Sequence, residues 1–285
     1  MSQDHSSGQT APSNEANPSI PSLFDLSGRT AVVVGAGSGL GQASAIGLAD
    51  AGARVIAADL NLSGAEATVQ IIGTRTPGGH SASSGPQAEA VEVDITDTES
   101  VSALVAAHPD AEVLVVTPGA NVRKRLITTT DEEFDRVIDI NLKGTYRLMR
   151  GFGAEMAERG RGSIITFASF RALTVEPGQG IYAAAKAGVV QLTKTLSSEL
   201  GPQGVRVNSI LPGPFDTPLT QQIKADEQWW NAYAEKTTLG RWGHLHEIAG
   251  PVLFLASDAS SYVTGHSQIV DGGWMAHDGR FTPDV

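Results

Sequence analysis

Short apolar, β-branched runs recur along the chain and alternate with longer stretches whose apolar residues have helical spacing. The short runs predict buried strands at Thr30–Val34, Ala53–Ala58, Ala90–Val93, Glu112–Val116, Ser163–Ala168, Val205–Leu211 and Gln268–Val270. The longer stretches predict helices at Gln42–Ala51, Ser63–Ile72, Asp97–Ala107, Thr130–Glu158, Tyr182–Leu200, Ala225–Glu235 and His246–Leu255. No hairpin signal interrupts the alternation, so the pattern predicts an α/β fold: one doubly wound (Rossmann) domain with a parallel sheet of about seven strands and helices on both faces.

The first 22 residues have a different composition from the rest of the chain. They are polar and rich in Ser, Pro, Asn and Gln, and they lack the basic start and apolar stretch of a signal peptide. We therefore expect a disordered tail over residues 1–22 and a single domain over residues 23–285. The Gly-, Ser- and Pro-rich segment Gly73–Gln87 predicts a loop within that domain.

The overall charge and the missing residue types narrow the function. The 285 residues include 20 Lys and Arg against 31 Asp and Glu, a net charge of −11, which argues against nucleic acid or an anionic membrane as the partner. There is no cysteine, so disulfides, thiol nucleophiles and cysteine-ligated metals are excluded. The apolar runs are too short to cross a bilayer, and we expect a cytoplasmic protein. His244 and His246 have no obvious third ligand nearby, so no metal site is expected.

A glycine-rich turn follows the first predicted strand. It has the sequence Gly35-Ala-Gly-Ser38-Gly39-Leu40-Gly41 and leads into a helix. Glycines at such a turn let a pyrophosphate approach the helix N-terminus, where free N–H groups and the helix dipole favour an anion. A tight turn with no ligand has the same pattern, so the glycines alone do not decide between the two.

Asp59 ends the second predicted strand, 18 residues beyond Gly41. A carboxylate there can accept hydrogen bonds from both adenosine ribose hydroxyls and would repel a 2′-phosphate. Ser38, Leu60 and Asn61 offer no cation to bind such a phosphate. The alternative is a helix-capping aspartate. We expect NAD to be the cofactor.

Further along the chain, several motifs occur in a fixed order and at fixed intervals. They are Gly35-x3-Gly39-x-Gly41, Asn141, Ser169, Tyr182-Ala-Ala-Ala-Lys186, Pro212-Gly213 with Thr217, and Asp271-Gly272-Gly273. Ser169 lies 13 residues before Tyr182, and Asn141 lies 28 residues before Ser169. From Leu23 to Met275 the chain thereby resembles the short-chain dehydrogenase/reductase family, which implies hydride transfer to or from a nicotinamide cofactor and a homotetramer.

The residues themselves suit that chemistry. Tyr182 and Lys186 are four residues apart and share one face of a helix. An ammonium beside a phenol stabilises the phenolate and lowers its pKa, which makes Tyr182 a usable general acid/base. Ser169 follows a buried strand, where its hydroxyl would polarise the substrate oxygen. The resemblance implies that Lys186 holds the nicotinamide ribose and that Asn141 holds a proton-passing water.

The resemblance also implies a set of cofactor contacts. They are Gly35, Ser38, Gly39, Leu40, Gly41, Asp59, Leu60, Asp94, Ile95, Gly119, Tyr182, Lys186, Pro212, Gly213, Phe215 and Thr217. Asp94 is also a candidate loop cap. The chain departs from the family after the fourth strand, where Val116-Thr-Pro-Gly119 replaces the usual Asn-Asn-Ala-Gly. Thr117 or Asn121 would have to replace the missing side-chain hydrogen bonds.

Substrate specificity is expected in loops at the carboxyl edge of the sheet, chiefly residues 214–240 and residues 170–181. Arg123 and Arg171 are candidate partners for a substrate carboxylate, with Ser169 at the reacting oxygen. Trp229 is a candidate for an apolar lid, although packing onto the domain would suit it equally, and Arg123 could belong to a solvated basic run. The expected substrate is a small molecule: a hydroxy acid, a sugar acid or a cyclic alcohol.

The sequence therefore favours an NAD-dependent enzyme that interconverts a secondary alcohol and a ketone, with Tyr182 as general acid/base. Two alternatives stay open. One is an NADP-linked reductase of the 3-oxoacyl type, and the other is a non-catalytic NAD-binding protein.

Overall fold

The computed structural model describes residues 18–75 and 87–276, and within them a parallel sheet organises the chain. Its strands are β1 (Thr30–Val34), β2 (Arg54–Asp59), β3 (Ala88–Glu92), β4 (Ala111–Val116), β5 (Gly162–Phe167), β6 (Val205–Pro212) and β7 (Ser267–Val270). Their order across the sheet is β3-β2-β1-β4-β5-β6-β7, and every neighbouring pair is parallel. The predicted doubly wound parallel sheet is confirmed.

Helices cover both faces of this sheet. They are α1 (Ile20–Leu23), α2 (Gly39–Asp50), α3 (Leu62–Gly73), α4 (Thr98–Ala107), α5 (Asp131–Ile138), α6 (Thr145–Arg159), α7 (Gly180–Leu200), α8 (Gln221–Lys224), α9 (Glu227–Lys236) and α10 (Ala249–Ala256). Ala31 and Val33 of β1 belong to one apolar cluster with side chains of α2 and α10. Val32 and Val34 belong to a second cluster with side chains of α4 and α6. Because both faces are buried, the strand is an uninterrupted apolar run.

The helix predicted over Thr130–Glu158 is not continuous. It begins at a capping box formed by Thr130 and Glu133, but residues 139–144 form a π-helical segment between α5 and α6. At that segment Asn141 donates from Nδ2 to the Ala120 carbonyl at 2.7 Å and accepts from the Ala120 N–H at 2.8 Å through Oδ1. Such one-turn π segments occur often at functional sites, and apolar periodicity alone does not distinguish them from an α-helix.

Two further boundaries differ from the predictions for local reasons. The helix predicted at Gln42 begins at Gly39, because the glycines that lower helix propensity form its first turn. The helix predicted at His246 is divided: residues 245–248 form a 3₁₀ turn, and α10 follows with Pro251 in its first turn.

The N-terminal boundary and the predicted loop are only partly described. The predicted tail ends at residue 22, but Ile20–Leu23 forms a helical turn that the Ser19 side chain caps. Regular structure therefore begins a few residues before the domain boundary predicted at Leu23. Residues 1–17 lie outside the described part of the chain. So do residues 76–86 of the predicted loop and residues 277–285.

Candidate active site

A cavity of about 750 Å³ opens at the carboxyl edge of the sheet. It lies where β1 and β4 are neighbours and the chain leaves them toward opposite faces, which is the switch point at which open α/β sheets bind ligands. All sixteen sequence-predicted cofactor residues line it, from Gly35 after β1 to Thr217 after β6. The residues that the sequence predicts to contact a cofactor therefore lie together around one cavity in the structure.

The glycine turn forms the floor of one end of the cavity. Gly35 has φ +84°, and a Cβ on Gly41 would lie 2.0 Å from the Gly35 carbonyl oxygen, so neither position accepts a side chain without rearrangement. Ser38 precedes α2, but its hydroxyl does not cap the helix. The first-turn N–H groups of α2 therefore remain available at the cavity wall, which fits a pyrophosphate.

Asp59 lies beside this turn and helps to hold it. Its Oδ2 accepts from the Gly37 N–H at 2.8 Å, and its Oδ1 accepts from the Asn61 N–H at 2.9 Å. Each carboxylate oxygen has a second lone pair for a ribose hydroxyl. Among the described residues that line the cavity, the cations are Arg123, Arg171 and Lys186, and all three belong to the other end.

Asp94 and Ile95 line the cavity just beyond β3. The Asp94 Oδ1 accepts from the backbone N–H of Thr96 at 2.8 Å and from its hydroxyl at 2.7 Å. These hydrogen bonds, the hydroxyl first, lower the pKa of Asp94. The loop-capping role considered for Asp94 is therefore present, and an adenine contact stays a prediction.

Tyr182 and Ser169 meet at the opposite end. Tyr182 is 9% exposed and Ser169 is 5% exposed, and both line the cavity. Burial raises the pKa of Tyr182, whereas hydrogen bonding by the Ser169 hydroxyl and the charges of Arg123 and Arg171 lower it. The Ser169 Oγ accepts from the Arg171 N–H at 3.1 Å, which orients the hydroxyl. Burial is the larger effect, so the pKa of Tyr182 is raised, and the two arginines oppose that rise, a role that the sequence assigns to Lys186 alone.

Lys186 is buried behind the tyrosine. Its Nζ lies 5.8 Å from the centre of the Tyr182 ring and donates to the Phe167 carbonyl at 2.7 Å. Burial lowers the pKa of Lys186 to about 8. A Cβ on Gly119 would lie 3.2 Å from the Asn141 Oδ1 and 3.6 Å from the Lys186 Nζ, so this glycine keeps the space beside both residues open.

Asn141 is fully buried and braces the site from behind. The described lining of the cavity does not include it. Its side-chain amide is paired with both backbone groups of Ala120, which fixes the loop after β4 against the π-helical segment. The water that the resemblance assigns to Asn141 stays a prediction.

The departure after β4 has a structural consequence. The Thr117 Oγ1 donates to the Val34 carbonyl at 2.9 Å, which joins the end of β4 to the end of β1. Asn121 Nδ2 donates to Gln179 Oε1 at 3.0 Å. Each of the two residues considered as a replacement for the usual asparagines therefore makes a side-chain hydrogen bond, but to different partners.

The predicted substrate residues lie around Ser169. Arg123 and Arg171 line the cavity, and Arg123 lies over the Trp229 ring at 5.1 Å from its centre. Trp229 itself packs against an apolar cluster that contains Tyr233 and is not among the described lining residues. The lid role considered for it stays a prediction.

Three residues at this end are not singled out by the sequence, namely Glu176, Gln179 and Trp242. The Glu176 Oε2 accepts from Arg171 at 3.1 Å and from the Tyr233 hydroxyl at 2.6 Å. One signal is available in hindsight: Glu176 is the one acidic residue between Ser169 and Tyr182.

Among the described residues, no group of three or more His, Cys, Asp or Glu side chains could hold a metal ion. None of the helices in residues 18–75 and 87–276 has the length and apolar character needed to span a membrane.

The chain matches a family model described as enoyl-(acyl carrier protein) reductase over residues 35–275. It is 37% identical over 262 residues to 2-dehydro-3-deoxy-D-gluconate 5-dehydrogenase of Pseudoalteromonas atlantica, which covers 88% of this chain and 98% of that protein. It is 38% identical to (3R)-3-hydroxyacyl-CoA dehydrogenase of Mus musculus, with 89% and 99% covered. The fold is also similar to a crystal structure of a putative NAD(P)-dependent gluconate 5-dehydrogenase from Beutenbergia cavernae, which has NADP bound at low occupancy. The two chains superpose with a TM-score of 0.83 at 37% identity, and the match covers 90% of this chain and 100% of that one.

Proposed function

The chain belongs to the short-chain dehydrogenase/reductase family, and from that premise we propose that it is an NAD-dependent dehydrogenase for a secondary alcohol that carries a carboxylate. The observation that carries the proposal is the pairing of Ser169 with Tyr182 at the end of the cavity that holds Arg123 and Arg171. When bound, the nicotinamide supplies or accepts the hydride, and this chain's own residues bind the substrate and move the proton.

In the oxidation direction, the Tyr182 phenolate oxygen takes the proton of the substrate hydroxyl. The Ser169 hydroxyl donates to the same substrate oxygen and holds it beside the tyrosine. Burial raises the pKa of Tyr182 and opposes the phenolate, whereas the nearby positive charges favour it. Arg123 and Arg171 therefore act in two ways, by anchoring the substrate and by adjusting the acid/base residue.

We take the end of the cavity that holds the glycine turn and Asp59 as the adenosine end, and cofactor choice follows from its charge. Asp59 would repel a 2′-phosphate, and no cation among the described lining residues lies at that end to bind one. This supports NAD. The second candidate is an NADP-linked reductase, and it is favoured by the NADP in the solved gluconate 5-dehydrogenase relative.

Substrate class follows from the charge at the other end. Arginine binds carboxylates through two parallel hydrogen bonds, and two arginines line the cavity close to the reacting oxygen. The first relative is named for a keto sugar acid and the second for a hydroxyacyl thioester. The arginines favour the sugar acid or another hydroxy acid over a neutral cyclic alcohol.

The test is a substrate panel with NAD⁺ and NADP⁺, followed by absorbance of the reduced cofactor. The panel contains gluconate and other hydroxy acids, 3-hydroxybutyryl-CoA and cyclohexanol. We expect reduction of NAD⁺ with a hydroxy acid, and a lower kcat/KM with NADP⁺. Faster turnover of 3-hydroxybutyryl-CoA with NADP⁺ would establish the second candidate instead. Cofactor binding without turnover of any compound would identify a non-catalytic binder.

Arg123 has a matched control on the same segment. Arg125 is exposed, and its side chain has no described partner, whereas Arg123 lies in the cavity. Arg123→Met should raise the KM for the hydroxy acid about 10- to 100-fold, the loss of a hydrogen bond between charged groups. Arg125→Met should leave the KM unchanged, and equal effects of the two would remove Arg123 from the substrate site.

A further inference from the structure

Four donors converge on one carboxylate oxygen at the substrate end of the cavity. The Glu176 Oε2 accepts from the Tyr233 hydroxyl at 2.6 Å, from Arg171 at 3.1 Å and from Arg123 at 3.5 Å, and it also accepts from the Gln179 side-chain amide. We call these five residues the Glu176 cluster. Three of its members, Arg171, Glu176 and Gln179, lie between Ser169 and Tyr182, on the segment that carries the reacting pair.

The cluster has one net positive charge, because it contains two guanidinium groups and one carboxylate. Arg171 is 6% exposed, and its Nε is buried without a hydrogen-bond partner. A buried N–H with no acceptor is costly, and a guanidinium most readily takes a carboxylate oxygen. Arg171 lines the cavity, so a bound ligand can supply that oxygen.

A second buried atom lacks a partner in the same cavity. The Asn121 Oδ1 is buried and accepts no hydrogen bond, while its Nδ2 is used by Gln179. A carbonyl oxygen needs a donor, and a substrate hydroxyl is one. The two atoms together match a ligand that has both an anionic oxygen and a hydroxyl.

We propose that Glu176 restricts this cavity to substrates with a single negative charge: it neutralises one of the two arginines and leaves the Nε–H of Arg171 for one carboxylate. A neutral polyol offers the Arg171 Nε–H only a hydroxyl oxygen, which is a weaker acceptor for a guanidinium than a carboxylate. The second charge of a dianion has no remaining cation within the Glu176 cluster to offset it and is repelled by the Glu176 carboxylate, and like-charge repulsion of this kind discriminates between ligands. This inference rests on the proposed function, since it takes the same cavity as the substrate site.

The cluster also joins α9 to the segment of the chain that carries Ser169 and Tyr182. Tyr233 lies on α9, donates to Glu176 and accepts from Arg171 at 3.1 Å. Its ring stacks on Trp242 with ring centres 5.4 Å apart and contacts Trp274 at 5.0 Å. Glu176 is therefore a positioning residue as well as a source of charge, and the test has to separate the two roles.

The experiment measures binding to the enzyme saturated with the reduced cofactor, so that no alcohol is oxidised. The probes are glucitol, gluconate and glucarate, which share a six-carbon polyol chain and carry no, one and two negative charges. Titration calorimetry gives a Kd for each. For the wild-type chain we expect gluconate to bind at least about tenfold more tightly than either of the others.

Glu176→Gln removes the charge but keeps an oxygen for the same donors. We expect glucarate to bind this variant at least as tightly as gluconate, an inversion of about tenfold or more in the ratio of their Kd values. Tyr233→Phe removes a hydroxyl without changing charge, so the ratio should stay at the wild-type value. Glu235→Gln changes an exposed glutamate on the same helix and should leave every Kd unchanged.

Three results would overturn the inference. The first is Glu176→Gln weakening all probes by the same factor, which means that Glu176 only positions the loop. The second is wild-type enzyme that binds glucitol or glucarate as tightly as gluconate. The third is wild-type enzyme that binds none of the three. A failure of the proposed function is seen separately, as absence of turnover in the substrate panel.

Discussion

The two ends of the cavity have opposite charge and are built from different kinds of contact. At the adenosine end, the carboxylates of Asp59 and Asp94 accept hydrogen bonds from residues two positions along the chain, Asn61 and Thr96. At the substrate end, Arg171 is bonded to Tyr233, 62 residues away. The Asp59 and Asp94 carboxylates are thus held in part by their own turns, whereas the Glu176 cluster depends on the packing of α9 against the loop after β5.

The largest expected effect is a loss of turnover without a loss of cofactor binding. Tyr182→Phe removes the hydroxyl that accepts and donates the proton, and we expect kcat to fall by about 10²- to 10⁴-fold. Because the adenosine end makes no contact with that hydroxyl, the Kd for NADH should stay close to the wild-type value. Stopped-flow absorbance and fluorescence titration measure the two quantities on the same preparation.

A matched control is available on α6. Tyr146 is 43% exposed and lies outside the cavity lining, so Tyr146→Phe should leave kcat and the NADH Kd unchanged. Full turnover by Tyr182→Phe would remove Tyr182 from the mechanism. A large loss of NADH affinity would show instead that the two ends are coupled.

The second prediction concerns the acidic end alone. Asp59→Asn removes the charge that opposes a 2′-phosphate and keeps one of the two oxygens that accept from the Gly37 and Asn61 N–H groups. We expect the ratio of NADPH to NADH affinity to rise at least about tenfold. Asp94→Asn removes a charge from the same end of the cavity, but the predicted contact of Asp94 is with the adenine and not with the ribose. This variant should therefore change the affinity ratio much less. Equal shifts in both variants would mean that overall charge, not Asp59, selects the cofactor.

The same contrast explains how far the sequence predicts the site. The strand ends, the glycine turn and Asp59 follow from apolar runs and from residues close together in the chain, and the parallel sheet that they predict is confirmed. Glu176 is missed as a site residue, because two of its four partners, Arg123 and Tyr233, lie 53 and 57 residues away along the chain. The π-helical segment at Asn141 is missed for a similar reason: a side-chain pairing with Ala120, not the apolar pattern, accompanies it.

The third prediction uses the low pKa of Lys186. Burial lowers this pKa from 10.5 to about 8, so the cofactor-free enzyme loses the ammonium as pH rises through about 8. If the ammonium holds the nicotinamide ribose, NADH affinity should fall above that pH, by at most about tenfold per pH unit. Fluorescence titrations from pH 6.5 to 9.5 measure it. Lys186→Met should bind NADH more weakly and without this slope, and an unchanged slope in the variant would assign the titration to another group.

The lowered pKa has a matching effect on stability, with a definite sign. Between about pH 8 and 10.5 the unfolded chain keeps the Lys186 proton while the folded chain has lost it. The unfolded state then binds more protons, so the contribution of Lys186 to the free energy of unfolding rises with pH in this window. Urea unfolding gives the free energy of unfolding of the wild type and of Lys186→Met at pH 7.5 and 9.5. The change between the two pH values should be more positive for the wild type than for the variant, and the difference between the two changes is the contribution of Lys186.

The smallest expected effect tests the junction between the two ends. Thr117 departs from the asparagine usual in the family, and its hydroxyl joins β4 to the Val34 carbonyl of β1, where the cavity opens. Thr117→Val has nearly the same shape and leaves that carbonyl its backbone bond from the Thr117 N–H at 3.0 Å. The loss should therefore be one hydrogen bond, about 1 kcal/mol in the free energy of unfolding. Thr117→Ser keeps the hydroxyl and should lose less. If Thr117→Val instead weakened NADH binding more than tenfold at unchanged stability, the hydroxyl would be a cofactor contact, and the two ends would meet at this residue rather than function apart.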